Sequence, residues 1–210
     1  MGERVRLYGA TYSVYVRIVR LALAEKGIDY QLVPVDVFAT GGPPPEHVGR
    51  HPFGRIPVFE HGDFALYETG AIARYVDEAF PGPRLQPADL FERARCNQLI
   101  SLADAYAYRS LVWDIYVERV ERPADGSFPD EERIAAALPM ARTCLAAISE
   151  LMGGHPWLAG PELSLADLYL ASMLDYFVRA PEGEAMMREH GRLAAWWERM
   201  AARPSMVAIG

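Results

Sequence analysis

From Leu90 onward the chain offers no strand signal able to compete with its long helical patterns, whereas residues 1–82 alternate short β-rich runs with helical spacing. That contrast restricts the fold to an α/β unit followed by an all-α unit. Pro81-Gly82-Pro83 halts the last helix of the first part. The expected division is therefore a first domain over 1–82, a linker over 83–89 and a helical bundle domain over 90–210.

Within the first part, Val5 to Tyr8 alternates and ends at Gly9, reading as a short strand. Val14 to Lys26 then places Val16, Val19 and Leu23 at helical spacing, with Ile18 and Leu21 beside them, and Gly27 closes that helix. Tyr30 to Val37 is β-rich and completes a βαβ unit. Ala39 to Pro45 must be a surface loop, because its three prolines and two glycines deny it donors and regular φ angles. Pro57 to Glu60 and Phe64 to Leu66 read as strands joined by a hairpin turn at His61-Gly62-Asp63, and Thr69 to Phe80 returns to helical spacing. In the second part the expected helices are Leu90 to Val120, Glu131 to Met152, Ser164 to Val178 and Arg192 to Ala202.

A length of 210 residues with 51% hydrophobic composition allows a sizeable core in two domains. Net charge is −7 with Lys and Arg scattered, so no footprint for a phosphate backbone is present and nucleic acid is not expected as a partner. The opening MGERVRLYGA has a charge at Glu3, and no apolar run is expected to span a bilayer, so export and membrane insertion are disfavoured. Cys96 and Cys144 stand far apart without a C-x-x-C or a Cys/His cluster, which removes dithiol chemistry and a structural zinc. A cytoplasmic setting without a metal is expected.

Three local patterns have a purely structural reading. Ser13 and Thr69 each open a helix, where a hydroxyl is an ordinary cap. Ser164 and Asp167 form a capping box, with Leu163 and Leu168 as a hydrophobic staple. Tyr106, Tyr108, Trp113 and Tyr116 cluster on one helix, and most aromatics at such spacing are core.

The string His51-Pro52-Phe53-Gly54-Arg55-Ile56-Pro57-Val58, followed by Tyr67-Glu68-Thr69-Gly70-Ala71-Ile72-Ala73-Arg74-Tyr75, resembles the glutathione-site signature of the glutathione transferase family. Trp157 to Asp167 resembles that family's core motif in its second domain. Ser13, in a Y-G-x-x-x-S pattern, matches the serine of the phi and theta classes. The resemblance implies a thioredoxin-like, glutathione-binding first domain and a helical second domain that receives a small hydrophobic electrophile. It also implies a homodimer, with Phe53 inserted into the partner subunit, and a role in detoxification. His51 departs from the family's usual asparagine.

The resemblance implies a role for each site residue, and the chemistry of each supports it. A cis bond before Pro57 would present the Ile56 N–H and C=O to a peptide, as edge-strand recognition in miniature; a trans bond would merely begin a strand. Thr69 can donate to the γ-glutamyl carboxylate while Glu68 accepts from the α-amino group, beside a helix N-terminus that favours an anion. Ser13 would donate to the sulfur and stabilise the thiolate, and Tyr8 and Tyr12 are its competitors for that donation. Arg17, one turn further on, is expected to be solvated or to add positive potential near the sulfur. Tyr12, Tyr106 and Trp113 are the expected contacts to the electrophile. The phi-like His-Lys pair for the glycyl carboxylate is replaced by Gly41-Gly42-Pro43-Pro44, leaving Arg55, His47 or Arg50 to supply the cation. Position 13 is not cysteine, so thiol transfer is not expected, and the S-S-C of the zeta-class isomerases is missing. Two alternatives to conjugation stand beside it: a glutathione-dependent peroxidase and a non-catalytic binding protein on the same fold.

Overall fold

Alternation in Val5–Tyr8 forms β1, in which Leu7 is fully buried and Arg6, on the opposite face, is not. The computed structural model describes residues 4–210. Helix α1 (Val14–Glu25) follows and ends where Gly27, at φ 67°, lets the Ile28 N–H reach the Leu23 carbonyl at 2.9 Å. Strand β2 (Gln31–Val33) pairs parallel with β1. It is shorter than the expected Tyr30 to Val37, although backbone bonds continue past it, from the Gly9 N–H to the Val33 carbonyl at 3.0 Å and from the Val35 N–H to the Gly9 carbonyl at 3.3 Å.

Strands β3 (Val58–His61) and β4 (Phe64–Tyr67) form the expected hairpin through Gly62-Asp63, and β3 runs antiparallel to β1 with Leu7 opposite Phe59. The sheet order is β2-β1-β3-β4. Leu7 and Phe59 are buried on one face, as are Ile18 and Val19 of α1 and Ile72 and Val76 of α3 (Thr69–Ala79), and α1 and α3 pack together. The other face carries a smaller cluster of Tyr8, Val35 and Val58, against which Ile56 packs. A helix absent from the sequence reading, α2 (Pro45–Arg50), begins with proline at its first position, where the missing N–H costs nothing. This β-α-β then β-β-α order is a thioredoxin-like unit.

Backbone proximity divides the described residues into two units, one running to Leu85 and the other Gln86–Pro204. The last segment, Ser205–Gly210, groups with the first unit rather than with the helical domain expected over 90–210. Two bonds hold it there: Ser205 Oγ donates to Glu25 Oε1 at 2.5 Å, and Arg20 donates to the Ile209 carbonyl at 3.3 Å. Helix α10 (Pro204–Ile209) carries these groups.

The second unit is all helical. Asp89 caps α4 (Leu90–Leu102) by accepting from the Phe91 and Glu92 N–H groups. The chain then continues as a wide π-type helix, Ala103–Glu121, in place of the single regular helix expected through Val120. Its closing bond runs from the Arg122 N–H to the Val117 carbonyl, five residues back. The short turn α5 (Arg122–Ala124) leads to α6 (Glu131–Met152), which packs along the π-type helix.

By length and composition α6 could cross a bilayer, contrary to the sequence expectation. Its Ile134, Ala141, Leu145 and Ile148 are instead buried within the unit, and Arg133 is paired with Asp114 and Glu118. Helices α7 (Leu165–Phe177), α8 (Pro181–Arg188) and α9 (Gly191–Ala201) complete the unit. Asp167 is fully buried and accepts from the Ser164 N–H and Oγ, the Leu158 N–H and the Trp196 indole, at 2.7 to 2.9 Å.

Candidate functional site

The first helix starts beside the kinked segment before β3 because of one glycine. A Cβ on Gly9 would lie 2.4 Å from Val16 Cγ2 and 3.4 Å from Ile56 Cβ, so the end of β1 passes between the first turn of α1 and Ile56. Any side chain at this position would wedge the two apart. Ser13 and Ile56 therefore belong to one neighbourhood of the first unit.

Ser13 caps α1, and its half-buried Oγ accepts from the Val16 N–H at 3.4 Å. That bond uses a lone pair and leaves the hydroxyl proton to donate elsewhere, so capping and donation to a sulfur are compatible in the same side chain. Arg17, one turn on, is buried at 4% exposure rather than solvated.

The competing tyrosines are both engaged. Tyr8 donates to Glu60 Oε2 at 2.8 Å, with the Arg50 guanidinium 4.8 Å from its ring centre. Burial, and then the Glu60 bond, raise the Tyr8 pKa above the ordinary phenol value. Tyr12 is half exposed, stacks on Phe38 and donates to Asp36 Oδ1 at 2.7 Å; burial and that bond raise its pKa as well. Neither phenol is disposed to ionise.

The Ile56-Pro57 bond is cis, as the resemblance implies. Among the described residues the Ile56 N–H and C=O make no backbone hydrogen bond. Pro57 is buried and Arg55 exposed. Glu68, exposed just before α3, is the one non-glycine residue with positive φ among the described residues, at φ 72° and ψ 114°. Such a conformation costs about 1–3 kcal/mol and marks a position the surroundings hold in place. Thr69 follows as the first residue of α3 and is buried. The first turn of that helix carries no acidic side chain, and Glu68, which stands immediately before it, makes no side-chain cap bond.

Of the three cations considered for a glycyl carboxylate, two are committed. His47 is 1% exposed and donates from Nε2 to the Arg55 carbonyl at 2.7 Å. Arg50 bonds Glu60 and the Glu46 carbonyl. Arg55 remains with its guanidinium at the surface.

His51, in place of the family's asparagine, is buried with its ring 4.7 Å from that of Tyr67. Burial pushes its pKa below the ordinary histidine value; the Glu68 charge opposes the shift, while His47 and Arg55 add to it. Sequence reasoning missed Glu60 and Asp36, the acids that engage Tyr8 and Tyr12, since neither pairing has a local spacing that betrays it.

Tyr106 and Trp113 lie in the second unit, on the π-type helix. Tyr106 is half exposed and lines a groove of about 730 Å³ with Arg109, Arg133, Ala137 and Met140. Trp113 does not line that groove; it meets Tyr108 edge to face at 6.5 Å. Tyr116 packs on Tyr176 at 4.7 Å.

Comparison with known proteins gives a consistent result over the whole chain. Residues 7–84 match the family model for the glutathione S-transferase N-terminal domain, and residues 106–204 match that for the C-terminal domain. Glutathione S-transferase 4 of Zea mays is 33% identical over 209 residues, covering 96% of this chain and 89% of the relative. Glutathione S-transferase F12 of Arabidopsis thaliana is 29% identical over 203 residues, covering 96% and 94%. Among solved structures, glutathione S-transferase III in its apo form superposes with a TM-score of 0.87 at 29% identity, covering 98% of this chain and 95% of that one. Glutathione S-transferase I bound with lactoylglutathione gives 0.86 at 29% identity, covering 98% of both chains.

Proposed function

Because this chain belongs to the glutathione S-transferase family, and its relatives are plant phi-class members of it, we propose that its first unit binds glutathione and activates the thiol for attack on a small hydrophobic electrophile. The observation that carries the reading is the convergence at Gly9. The start of α1, with a serine hydroxyl whose proton is free of the cap bond, lies beside a cis Ile56-Pro57 segment whose backbone groups have no backbone partner among the described residues.

Glutathione supplies the nucleophilic sulfur, and each residue has a distinct task. Ser13 donates its hydroxyl proton as a hydrogen bond to the thiolate. With the N-terminal dipole of α1, such a bond lowers a thiol pKa by about one to two units. Ile56 pairs its N–H and C=O with the cysteinyl unit. Thr69 donates to the γ-glutamyl carboxylate, Glu68 accepts from the amino group, and Arg55 offers its guanidinium to the glycyl carboxylate. Pro57 fixes the direction of this strand start. Tyr12, Tyr106 and Trp113 are assigned to the electrophile, with Tyr106 presented on the groove of the second unit.

A homodimer is part of the proposal: Phe53 is 71% exposed in a loop, with its ring edge to face against those of His51 and Tyr67 at 6.1 and 6.5 Å, and this outward aromatic is assigned to a partner's pocket. A detoxifying role in the cytoplasm accompanies it. The test is calorimetric titration with glutathione together with turnover of chlorodinitrobenzene. Binding with turnover supports conjugation, turnover of hydroperoxides alone favours the peroxidase reading, and no binding rejects the assignment. The missing basic pair in the Gly41 to Pro44 loop favours a non-catalytic reading, which the same titration decides.

A further inference from the structure

We infer that His47 is a positioning residue for glutathione, acting through the Arg55 carbonyl to aim the Ile56 N–H into the binding cleft. The inference rests on the reading that the first unit binds glutathione at Ile56.

The Arg55 carbonyl can only accept, so Nε2 of His47 carries the proton in the 2.7 Å bond between them. Among the described residues the Ile56-Pro57 bond is the single cis peptide, so the Arg55-Ile56 peptide is trans. In a trans peptide the C=O and the following N–H point in opposite directions. Drawing the Arg55 carbonyl inward to His47 therefore turns the Ile56 N–H outward, away from α2. That N–H has no backbone partner among the described residues, as a donor reserved for a ligand carbonyl requires.

The ring's other nitrogen supports a role beyond filling space. His47 Nδ1 is buried and has no partner in the protein. A phenylalanine would fill the same volume without leaving a dry polar atom, so packing alone does not account for histidine here. The His51 ring centre lies 6.5 Å from that of His47.

The experiment compares His47→Phe, which keeps the volume and removes the donor, with His47→Gln, whose amide nitrogen can replace Nε2. His47→Phe is expected to raise the KM for glutathione about ten-fold, while kcat at saturating glutathione stays within about two-fold. His47→Gln is expected to bring KM back to within about three-fold of the unsubstituted protein, the cost of a slightly displaced hydrogen bond. An unchanged KM in His47→Phe, equal impairment of both variants, or a fall in kcat at constant KM would overturn the inference.

Amide exchange in the unsubstituted protein gives a check that needs no variant. Saturating glutathione should slow exchange at the Ile56 N–H at least about ten-fold, the mark of a newly paired donor. Unaltered exchange sinks the inference. If the unsubstituted protein does not bind glutathione at all, the functional reading falls and takes this role with it. If it binds and His47→Phe binds equally well, only the role of His47 falls.

Discussion

The Tyr8 hydroxyl donates to Glu60 Oε2 at 2.8 Å, and the same carboxylate also accepts from Arg6 and Arg50 at 3.2 Å each. A phenol committed to an anion in this way is a poor donor to a second anion. The tyrosine at the end of β1 is thus disarmed by its neighbour on β3, which supports the proposed donor role of the serine five residues later.

Ser13→Ala should accordingly lower kcat/KM for chlorodinitrobenzene by about 10- to 100-fold at neutral pH, one to two units of thiol pKa. Tyr8→Phe and Tyr12→Phe should each stay within about three-fold. The check is steady-state kinetics of the three variants side by side, with titration of the thiolate absorbance in the binary complex. Activity that survives Ser13→Ala would remove the donor assigned here.

The Glu60 cluster also predicts an acid limb of stability. Burial raises the carboxyl pKa, but the bonds from Tyr8, Arg6 and Arg50 outweigh it and leave the pKa below its ordinary 4.5. A carboxyl lowered on folding stabilises the native state fully above its unfolded pKa, and that contribution disappears as pH falls through the folded value. Glu60→Gln should therefore cost about 1 kcal/mol at pH 7, and the difference from the unsubstituted protein should shrink below roughly pH 4. Urea denaturation at both pH values measures this. A difference independent of pH would contradict it.

Asp167→Ala leaves four donors without an acceptor in a dry interior: two N–H groups, a hydroxyl and an indole. The expected loss is about 3 kcal/mol or more, equivalent to roughly 10 °C in Tm, with kcat of the folded fraction unchanged. Calorimetric scanning beside an activity assay separates the two effects. Lost activity at an unaltered Tm would give Asp167 a chemical role in place of a structural one.

Phe53→Ser removes the exposed ring proposed to enter a second copy of the chain. Light scattering should then report a mass near 23.4 kDa where the unsubstituted protein gives twice that value. Equal masses for the two proteins would dismiss Phe53 as the anchor.

Short-range patterns made much of this protein readable. The Ser164–Asp167 box fits within a few residues, so its physics is local and shows in the sequence. So does the Gly62-Asp63 hairpin. The expectations for Ile56-Pro57 and Glu68-Thr69 come instead from the family resemblance, since local pattern alone also suits a trans proline and a plain helix cap. The engagement of Tyr8 by Glu60 and of Tyr12 by Asp36 joins residues 52 and 24 apart, and only the sheet register or the loop path brings them together. Helix α2 escaped notice because it is short and starts in a proline run that also suits a loop. The π-type helix was hidden for another reason. Its five-residue pairing, seen in Tyr108 with Trp113 and Arg109 with Asp114, has no signal in the sequence, because periodicity arguments assume the ordinary turn.

The return of Ser205–Gly210 to the first unit has a consequence for how the protein is made. A ribosome that has released residues 4–85 has delivered the four described strands of the sheet, yet the bonds from Ser205 to Glu25 and from Arg20 to the Ile209 carbonyl can form only with residues more than a hundred positions downstream. The surface of α1 is closed only once α10 has emerged, so the region first to be synthesised is among the last to be finished.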